Sequence, residues 1–313
     1  MREWLKARNT ERSKPGNLSS TRRDNFVKVS RLVAVVYNPS KPELRQVLDK
    51  LVNLLNSEGV DFFLIKTEFF NFSASFDSYE GLKRPDFVVC VGGDGTILYA
   101  ARLFAKLDVP IAGIDVGKLG FLMHFSVDDI PKIIGFIRSN DYEYEQRMML
   151  DVVANFESGK TFSSIALNEV VVSRGKYHRL ISICVEVDGE RLINYRADGV
   201  IVATPTGSTA YSLSAFGPIL IPTSDNIVIT PICPHSLSAR SVVIDGSSVV
   251  KLYVKHTEPM AQVVVDGQEY LEISENAEII VRKSAYYAKV VKNPDISFFK
   301  ILRKKLKWAD DNM

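Results

Sequence analysis

Gly92-Gly93-Asp94-Gly95-Thr96 sets one carboxylate among three glycines at the end of an apolar run. Glycines at a strand end adopt backbone angles closed to other residues and let amide groups approach a phosphate closely. A carboxylate in their midst repels phosphate unless it has a task of its own. Two tasks fit: accepting a proton from an attacking hydroxyl, or binding a metal ion held by the phosphates, since phosphoryl transfer depends on positioning and charge neutralisation. The plainer alternative is an Asp-Gly turn that only closes a strand. Five residues in this order directly after a buried strand favour the catalytic reading.

A second cluster begins at Asp198-Gly199 and continues through a strand into Thr204-Pro205-Thr206-Gly207-Ser208-Thr209-Ala210-Tyr211-Ser212. Its hydroxyls, its amides and the start of a short helix suit a polar nucleotide ligand, although Ser/Thr-rich loops are common. Asn168-Glu169 stands at the start of another strand, with an amide for a base edge beside a carboxylate for ribose hydroxyls. Taken alone it reads as a solvated strand end. Arg179 and Arg196 are cations that could neutralise a pyrophosphate. His124, His178, His235 and His256 show no metal-ligand spacing, and no Ser/His/Asp order points to a hydrolase. Gly159-Lys160-Thr161 imitates the end of a P-loop, but Ala154 occupies the place of its first glycine and the context is β-rich.

These groups need a scaffold. From residue 31 short β-rich runs alternate with helical ones: a strand over residues 32–37, a helix carrying Leu44, Val47, Leu48, Leu51, Leu54 and Leu55 that ends before Gly59, and strands over 62–65 and 86–91. A helix over 97–107, a strand over 109–114, a second glycine-bearing loop over 115–121 and a helix near 129–138 follow. Strand, helix and strand in this order imply a right-handed parallel sheet with the glycine turns on one ligand-binding edge. Residues 142–291 are strand-rich, broken by Asn, Asp, Gly and Pro turns. The expected organisation is therefore an α/β domain with a parallel sheet over 31–140, a mostly β dinucleotide-binding domain over 141–291, and a carboxy-terminal helix within 292–313 that docks back on the first domain. Residues 1–30, basic, polar and poor in large apolar side chains, read as a disordered tail. Their arginines and serines allow a transit peptide, against which Glu3, Glu11 and Asp24 argue.

The 313 residues, 46% of them hydrophobic, can bury cores for two domains. Thirty-nine basic against thirty-seven acidic residues leave no general case for nucleic-acid binding. Cys90, Cys184 and Cys233 are odd in number and widely spaced, so a reducing, cytoplasmic compartment is expected. No apolar run approaches the roughly 20 residues that cross a bilayer, so no membrane partner is expected.

The motifs resemble those of the NAD kinase family: Gly-Gly-Asp-Gly-Thr, a later Asn-Glu, and the Asp-Gly…Thr-Pro-Thr-Gly-Ser-Thr-Ala-Tyr run, in that order. Leu119-Gly120-Phe121-Leu122, residues 231–237 (PICPHSL), Asp266-Gly267-Gln268 and Phe298-Phe299…Leu302-Arg303 extend the resemblance over residues 31–308. It implies an enzyme that phosphorylates the 2′-hydroxyl of the adenosine ribose of NAD, using ATP or polyphosphate, with a divalent ion, magnesium, accompanying ATP. Asp94 would be the general base, and Gly92, Gly93 and Gly95 would border the phosphates. Asn168, Glu169, Asp198, Thr209, Ala210, Tyr211 and Ser214 would hold the dinucleotide, with Thr206, Arg179, Arg196 and Gln268 as further contacts. The resemblance also implies a homo-oligomer, dimer or tetramer, in which a neighbouring subunit helps complete the site.

Two rivals differ in kind. Gly-Gly-Asp-Gly is shared with lipid kinases, but the Gly-x-Gly-Asn-Asp motif such kinases carry after it is missing from this sequence. A non-catalytic dinucleotide sensor would keep the pocket and lose the carboxylate, whereas Asp94 is in place.

Overall fold

A computed structural model of the chain describes residues 31–40, 43–67, 83–117, 120–176, 178–255, 261–274 and 276–308. The tail assigned to residues 1–30 and most of the polar segment after residue 67 lie outside them.

The amino-terminal half is layered by the side-chain alternation of its first strand. In β1 (Leu32–Tyr37), Val33 and Val35 enter one core while Ala34 and Val36 enter another on the opposite face. α1 (Leu44–Ser57) covers the first face with Leu44, Val47, Leu51 and Leu55, spaced to make one apolar stripe. β2 (Asp61–Lys66) and β3 (Phe87–Gly92) flank β1 in parallel register. α2 (Asp94–Phe104) lies on the second face, and β4 (Pro110–Asp115) runs parallel to β3. α3 (Ile130–Ser139) returns to the α1 side. β3 is buried along its whole length, as expected for a parallel strand covered on both faces.

Nine strands come next: β5 (Tyr144–Phe156), β6 (Thr161–Ala166), β7 (Glu169–Ser173), β8 (Ile181–Val187), β9 (Glu190–Ala197), β10 (Gly199–Ala203), then, after the short α4 (Tyr211–Ser214), β11 (Asn226–Ile232), β12 (Val242–Asp245) and β13 (Val250–Val254). The hairpin β14 (Ala261–Val265) and β15 (Glu269–Ile273) precedes β16 (Ala277–Val291), and α5 (Phe298–Leu306) ends the described chain. Six strands form an antiparallel sheet in the order β12-β11-β10-β7-β14-β15, and the other ten form one sheet whose main path is β2-β1-β3-β4-β16-β13-β8-β9. The two sheets pack face to face over Val170, Val172, Val200, Val202, Val263 and Val265 from the smaller and Ile183, Val185, Leu252 and Ile279 from the larger. β16 serves both halves: its start pairs antiparallel with β13, and after a register shift between Lys283 and Tyr287 in its pairing with β5, its end pairs parallel with β4.

The architecture is the expected one: an α/β amino-terminal layer with a parallel sheet, and a mostly β carboxy-terminal part. Ser297 caps α5 by accepting the Lys300 amide at 3.2 Å, and the chain entering this helix is fastened to the first domain. Lys132 of α3 donates to Asn293 at 3.0 Å and Asp295 at 2.7 Å, while Asn293 donates to the His124 carbonyl at 2.9 Å. No helix among the described residues is long and apolar enough to cross a membrane.

One boundary differs in a way that matters for the chemistry. The helix expected from Ile97 starts at Asp94, so Asp94 and Gly95 form its first turn instead of a free loop. Gly93 stands before it in extended conformation, its carbonyl accepting the Thr96 amide at 2.7 Å and its amide facing the Thr96 hydroxyl at 3.4 Å. The low intrinsic helix preference of glycine conceals this start in the sequence, and the Thr96 cap supplies it.

Candidate active site

Because Asp94 opens α2, its carboxylate stands at the positive end of the helix dipole. It is also gripped from the loop that follows β4. Oδ2 accepts the Phe121 amide at 2.8 Å, and Oδ1 accepts those of Leu122 at 3.0 Å and Met123 at 3.3 Å. A carboxylate has about four lone-pair positions, so Oδ2 retains one for a ligand. The approach is close enough that a β-carbon on Gly120 would overlap Oδ1. The two glycine-bearing loops therefore meet at one carboxylate.

The hydroxyl-rich segment after β10 spends most of its polar groups on its own shape. Thr204 donates to the Leu167 carbonyl at 2.6 Å and accepts the Gly207 amide at 3.0 Å, and Ser208 donates to the Pro205 carbonyl at 2.6 Å. Ser212 pairs with Thr230 at 2.9 Å, and Thr209 donates to the Thr206 carbonyl at 3.1 Å. A 3-10 turn, Gly207–Thr209, leads through Ala210 into α4. Gly207 lies so close to the Asn168 carbonyl that a β-carbon would overlap it. What this rigid segment offers outward is Tyr211 and Ser214, both exposed.

Tyr211 stands over a cavity of about 360 Å³ on the outer face of the six-stranded sheet. Its polar lining comes from Glu169, Ser173, Arg174, Asp198, Tyr211 and Gln262, over a floor of Val171, Ile232 and Val264. Glu169 is 6% exposed, and its Oε2 has no hydrogen-bond partner among the described residues. Burial and then the neighbouring Asp266 charge push its carboxyl up to about 8, against a smaller opposing effect of the Tyr211 amide. Across the cavity Arg174 grips Asp198 through Nε at 2.6 Å and Nη2 at 3.4 Å. Burial, then the charges at Cys233, Asp198 and Glu169, raise the Tyr211 phenol, which keeps its proton as a donor.

One hairpin turn connects cavity and helix. Asp266 and Gly267 join β14 to β15 with φ of 51° and 65°, the positive pair that a type I′ turn requires. The buried Asp266 carboxylate accepts the amides of Leu167 at 2.8 Å, Asn168 at 2.7 Å and Glu169 at 3.1 Å, fixing the start of β7. Gly267 is part of the cavity wall. Gln268 reaches the other way, its Nε2 donating to the Gly95 carbonyl at 2.7 Å and its Oε1 accepting from Arg102 Nη2 at 2.8 Å.

A second buried cation lies nearby. Arg147 of β5 is 3% exposed, pairs with Glu145 at 2.6 Å and directs Nη1 at the Thr206 hydroxyl at 3.4 Å. Burial lowers its pKa, while the charges of Glu145 and Asp94 oppose that shift. Burial and then the Arg147 charge lower the pKa of the His124 imidazole, also buried, against a smaller opposing effect of Glu145.

The structure thus gathers Glu169, Asp198 and Tyr211 around one cavity, while Asn168 and Thr206 are buried and outside its lining. Gly92, Gly93, Asp94 and Gly95 form the β3–α2 junction. Arg179 and Arg196 are exposed and stand outside the cavity lining. Both ends of the Gln268 amide are engaged within the protein. Sequence reasoning missed Arg174, Arg147 and Asp266 as site residues. Strand alternation from Glu169 through Val171 and Ser173 carries a signal for the first, which follows directly. A charge inside the apolar context of Met148, Met149 and Leu150 marks the second. Asp266 reads as an ordinary hairpin residue, since nothing in Asp-Gly tells which way the carboxylate turns.

Comparison with known proteins points in one direction. The model of the ATP-NAD kinase N-terminal domain matches residues 79–142, and that of the ATP-NAD kinase C-terminal domain matches residues 167–293. The NAD kinase of Acidobacterium capsulatum is 38% identical over 288 residues, 90% of this chain and 99% of that protein. That of Koribacter versatilis is 38% identical over 290 residues, again 90% and 99%. Among solved structures, yeast NADH kinase complexed with NADH superposes with a TM-score of 0.80 at 25% identity, covering 90% of this chain and 89% of the other. An NAD kinase from Archaeoglobus fulgidus in complex with ATP gives 0.68 at 29% identity, covering 89% and 100%.

Proposed function

The chain belongs to the NAD kinase family, and from that premise we propose that it moves the terminal phosphoryl group of ATP to the 2′-hydroxyl of the adenosine ribose of NAD, with Asp94 as the base. The observation that carries this reading is the setting of Asp94: one carboxylate at a helix N-terminus, held by three backbone amides, next to a glycine bound to the wall of the dinucleotide cavity through the Gln268 hairpin.

In this mechanism the ribose oxygen attacks the terminal phosphorus as Asp94 Oδ2 takes its proton. The bond from that phosphorus to its bridging oxygen breaks, and ADP leaves with the electron pair. The amides of Phe121, Leu122 and Met123 hold the carboxylate in one orientation, which is the positioning such a step requires. The first turn of α2, with Gly92 and Gly93 before it, turns backbone amides toward the phosphates. Magnesium enters with ATP as part of the substrate, and Asp94 is the carboxylate of the site on which such an ion would lean, since magnesium bound to phosphates keeps much of its water shell. Its chemistry there is to neutralise charge on the transferring group.

Glu169 and Asp198 accept hydroxyl or amino hydrogens of the dinucleotide. Arg174, with donors left after binding Asp198, neutralises its pyrophosphate, and Tyr211 presents a ring and a phenol at the cavity mouth. Asn168, which precedes Glu169, and Thr209, Ala210 and Ser214, which flank Tyr211 in sequence, are assigned as further contacts of the dinucleotide. Phe216 and Leu237, 95% and 94% exposed, support the reading that copies of the chain associate as a dimer or tetramer. The three described cysteines are all free, which fits a reducing, cytoplasmic setting.

The test is direct: purified protein, MgATP and NAD are expected to give NADP. Inorganic polyphosphate in place of ATP determines the donor. Absence of NADP together with phosphorylation of diacylglycerol overturns the assignment in favour of a lipid kinase.

A further inference from the structure

Gln268 is bound at both ends by groups that leave it one orientation. Arg102 offers only donors, so the amide oxygen must face it at 2.8 Å, and the amide nitrogen must then face the Gly95 carbonyl at 2.7 Å. That carbonyl lies in the first turn of α2, where helical bonding uses one lone pair and leaves the second for Gln268. Arg102 is itself immobilised. It is 8% exposed, its Nε lies 3.3 Å from Glu269, and Ser164 of β6 holds the far oxygen of Glu269 at 2.5 Å. Ser164, half-buried, and the buried Glu269, Arg102 and Gln268 thus make a polar chain from the β5–β6 hairpin to the residue beside Asp94.

The other side of the same turn faces the cavity. Asp266, two residues before Gln268, holds the amides of residues 167–169, including that of Glu169, and Gly267 between them forms part of the cavity wall. A displacement of this hairpin moves the cavity wall and the first helical turn together. Along the covalent chain, by contrast, Asp94 and Gln268 are 174 residues apart, since the bonded pair Gly95 and Gln268 is separated by 173.

We propose that Gln268, fixed by Arg102, is a positioning residue that sets the first turn of α2, and so the Asp94 carboxylate, against the dinucleotide cavity. This assignment rests on the NAD kinase reading above. It gives Gln268 a role through Gly95, in place of the direct nucleotide contact its motif implies. Errors of about 1 Å in placing reacting groups cost rate by as much as about a hundredfold while leaving binding contacts intact.

The experiment uses the full chain with Gln268→Met, which keeps side-chain length and removes both hydrogen bonds, and Gln268→Glu, which keeps the acceptor toward Arg102 but cannot donate to Gly95 when ionised. Both variants are expected to lower kcat about tenfold or more with the KM for NAD within about threefold of wild type. In an Asp94→Asn background Gln268→Met is expected to cost little further, because the group it positions is already gone. A loss confined to KM, an unchanged kcat, or an equal fall in both backgrounds overturns the proposal. Amide hydrogen exchange gives a readout independent of turnover: peptides spanning residues 92–98 are expected to exchange faster in Gln268→Met than in wild type, with those of β1 unchanged. If wild type makes no NADP, the functional reading fails, and unaltered exchange at residues 92–98 would separately refute the link.

Discussion

Gly120 lies directly against the carboxylate of Asp94, with no room between them for a β-carbon. The contact exists because the amides of the next three residues converge on the same carboxylate. Gly120→Ala must therefore push Asp94 away from its three donors or open the loop. The expected result is a fall in kcat of about tenfold or more, the scale of a misplaced catalytic group, with NAD affinity nearly unchanged because the cavity lies beyond the hairpin. Steady-state kinetics beside a direct binding measurement distinguishes this from general unfolding.

Asp94→Asn tests the base itself. Losing a general base typically costs about a hundredfold or more in kcat, and NAD binding should persist. The substitution also faces an NH2 group toward at least one of the amides of Phe121, Leu122 and Met123, so a modest drop in thermal stability is expected with it. A kcat equal to that of wild type would remove Asp94 from the proton transfer.

Much of this arrangement is legible in the chain, and the limits have physical causes. The alternation in residues 32–37 and the apolar runs before Gly92 and Asp115 are local signals, so the parallel layer and its loop edge follow from them. Asp94 stands out because five residues, Gly-Gly-Asp-Gly-Thr, in order directly after a buried strand outweigh the plain reading of Asp-Gly as a turn. The start of α2 at Asp94 is obscured by glycine, whose weak helix preference is overridden by the Thr96 cap. Partnerships across long sequence distance leave no local mark: Gln268 with Gly95, Asp266 with residues 167–169, and Arg147 with Thr206 appear only once two sheets are packed. Arg196 and Arg174 look alike as isolated arginines, and only the pairing with Asp198 separates them.

That separation is measurable. Arg174 and Asp198 are about three-quarters buried at the cavity wall, with side-chain exposures of 25% and 28%, whereas Arg196 points outward. Arg174→Ala is expected to raise the KM for NAD about tenfold, equivalent to about 1.4 kcal/mol, with kcat within a few-fold of wild type. Arg196→Ala is expected to leave both within about twofold in the isolated subunit's own contacts. Equal effects of the two substitutions would show that the cavity arginine has no special part in binding.

Glu169 makes stability depend on pH in a direction opposite to that of a salt-bridged carboxylate. Burial, then the Asp266 charge, raises it from its ordinary 4.5 to about 8. The folded chain thus keeps a proton that the unfolded chain gives up near 4.5, and the associated stability is full below about pH 4.5 and lost as pH rises through about 8. Glu169→Gln preserves the shape with a group that stays neutral. Its Tm should exceed that of wild type by a margin that widens between about pH 5 and pH 8 and then levels off. If bound NAD donates ribose hydroxyls to an ionised Glu169, saturating NAD favours the deprotonated form and narrows that margin in wild type at the upper end of the window. Thermal melts of both proteins across this range, with and without NAD, decide it: a margin that does not vary with pH would show that Glu169 is already ionised in the folded chain.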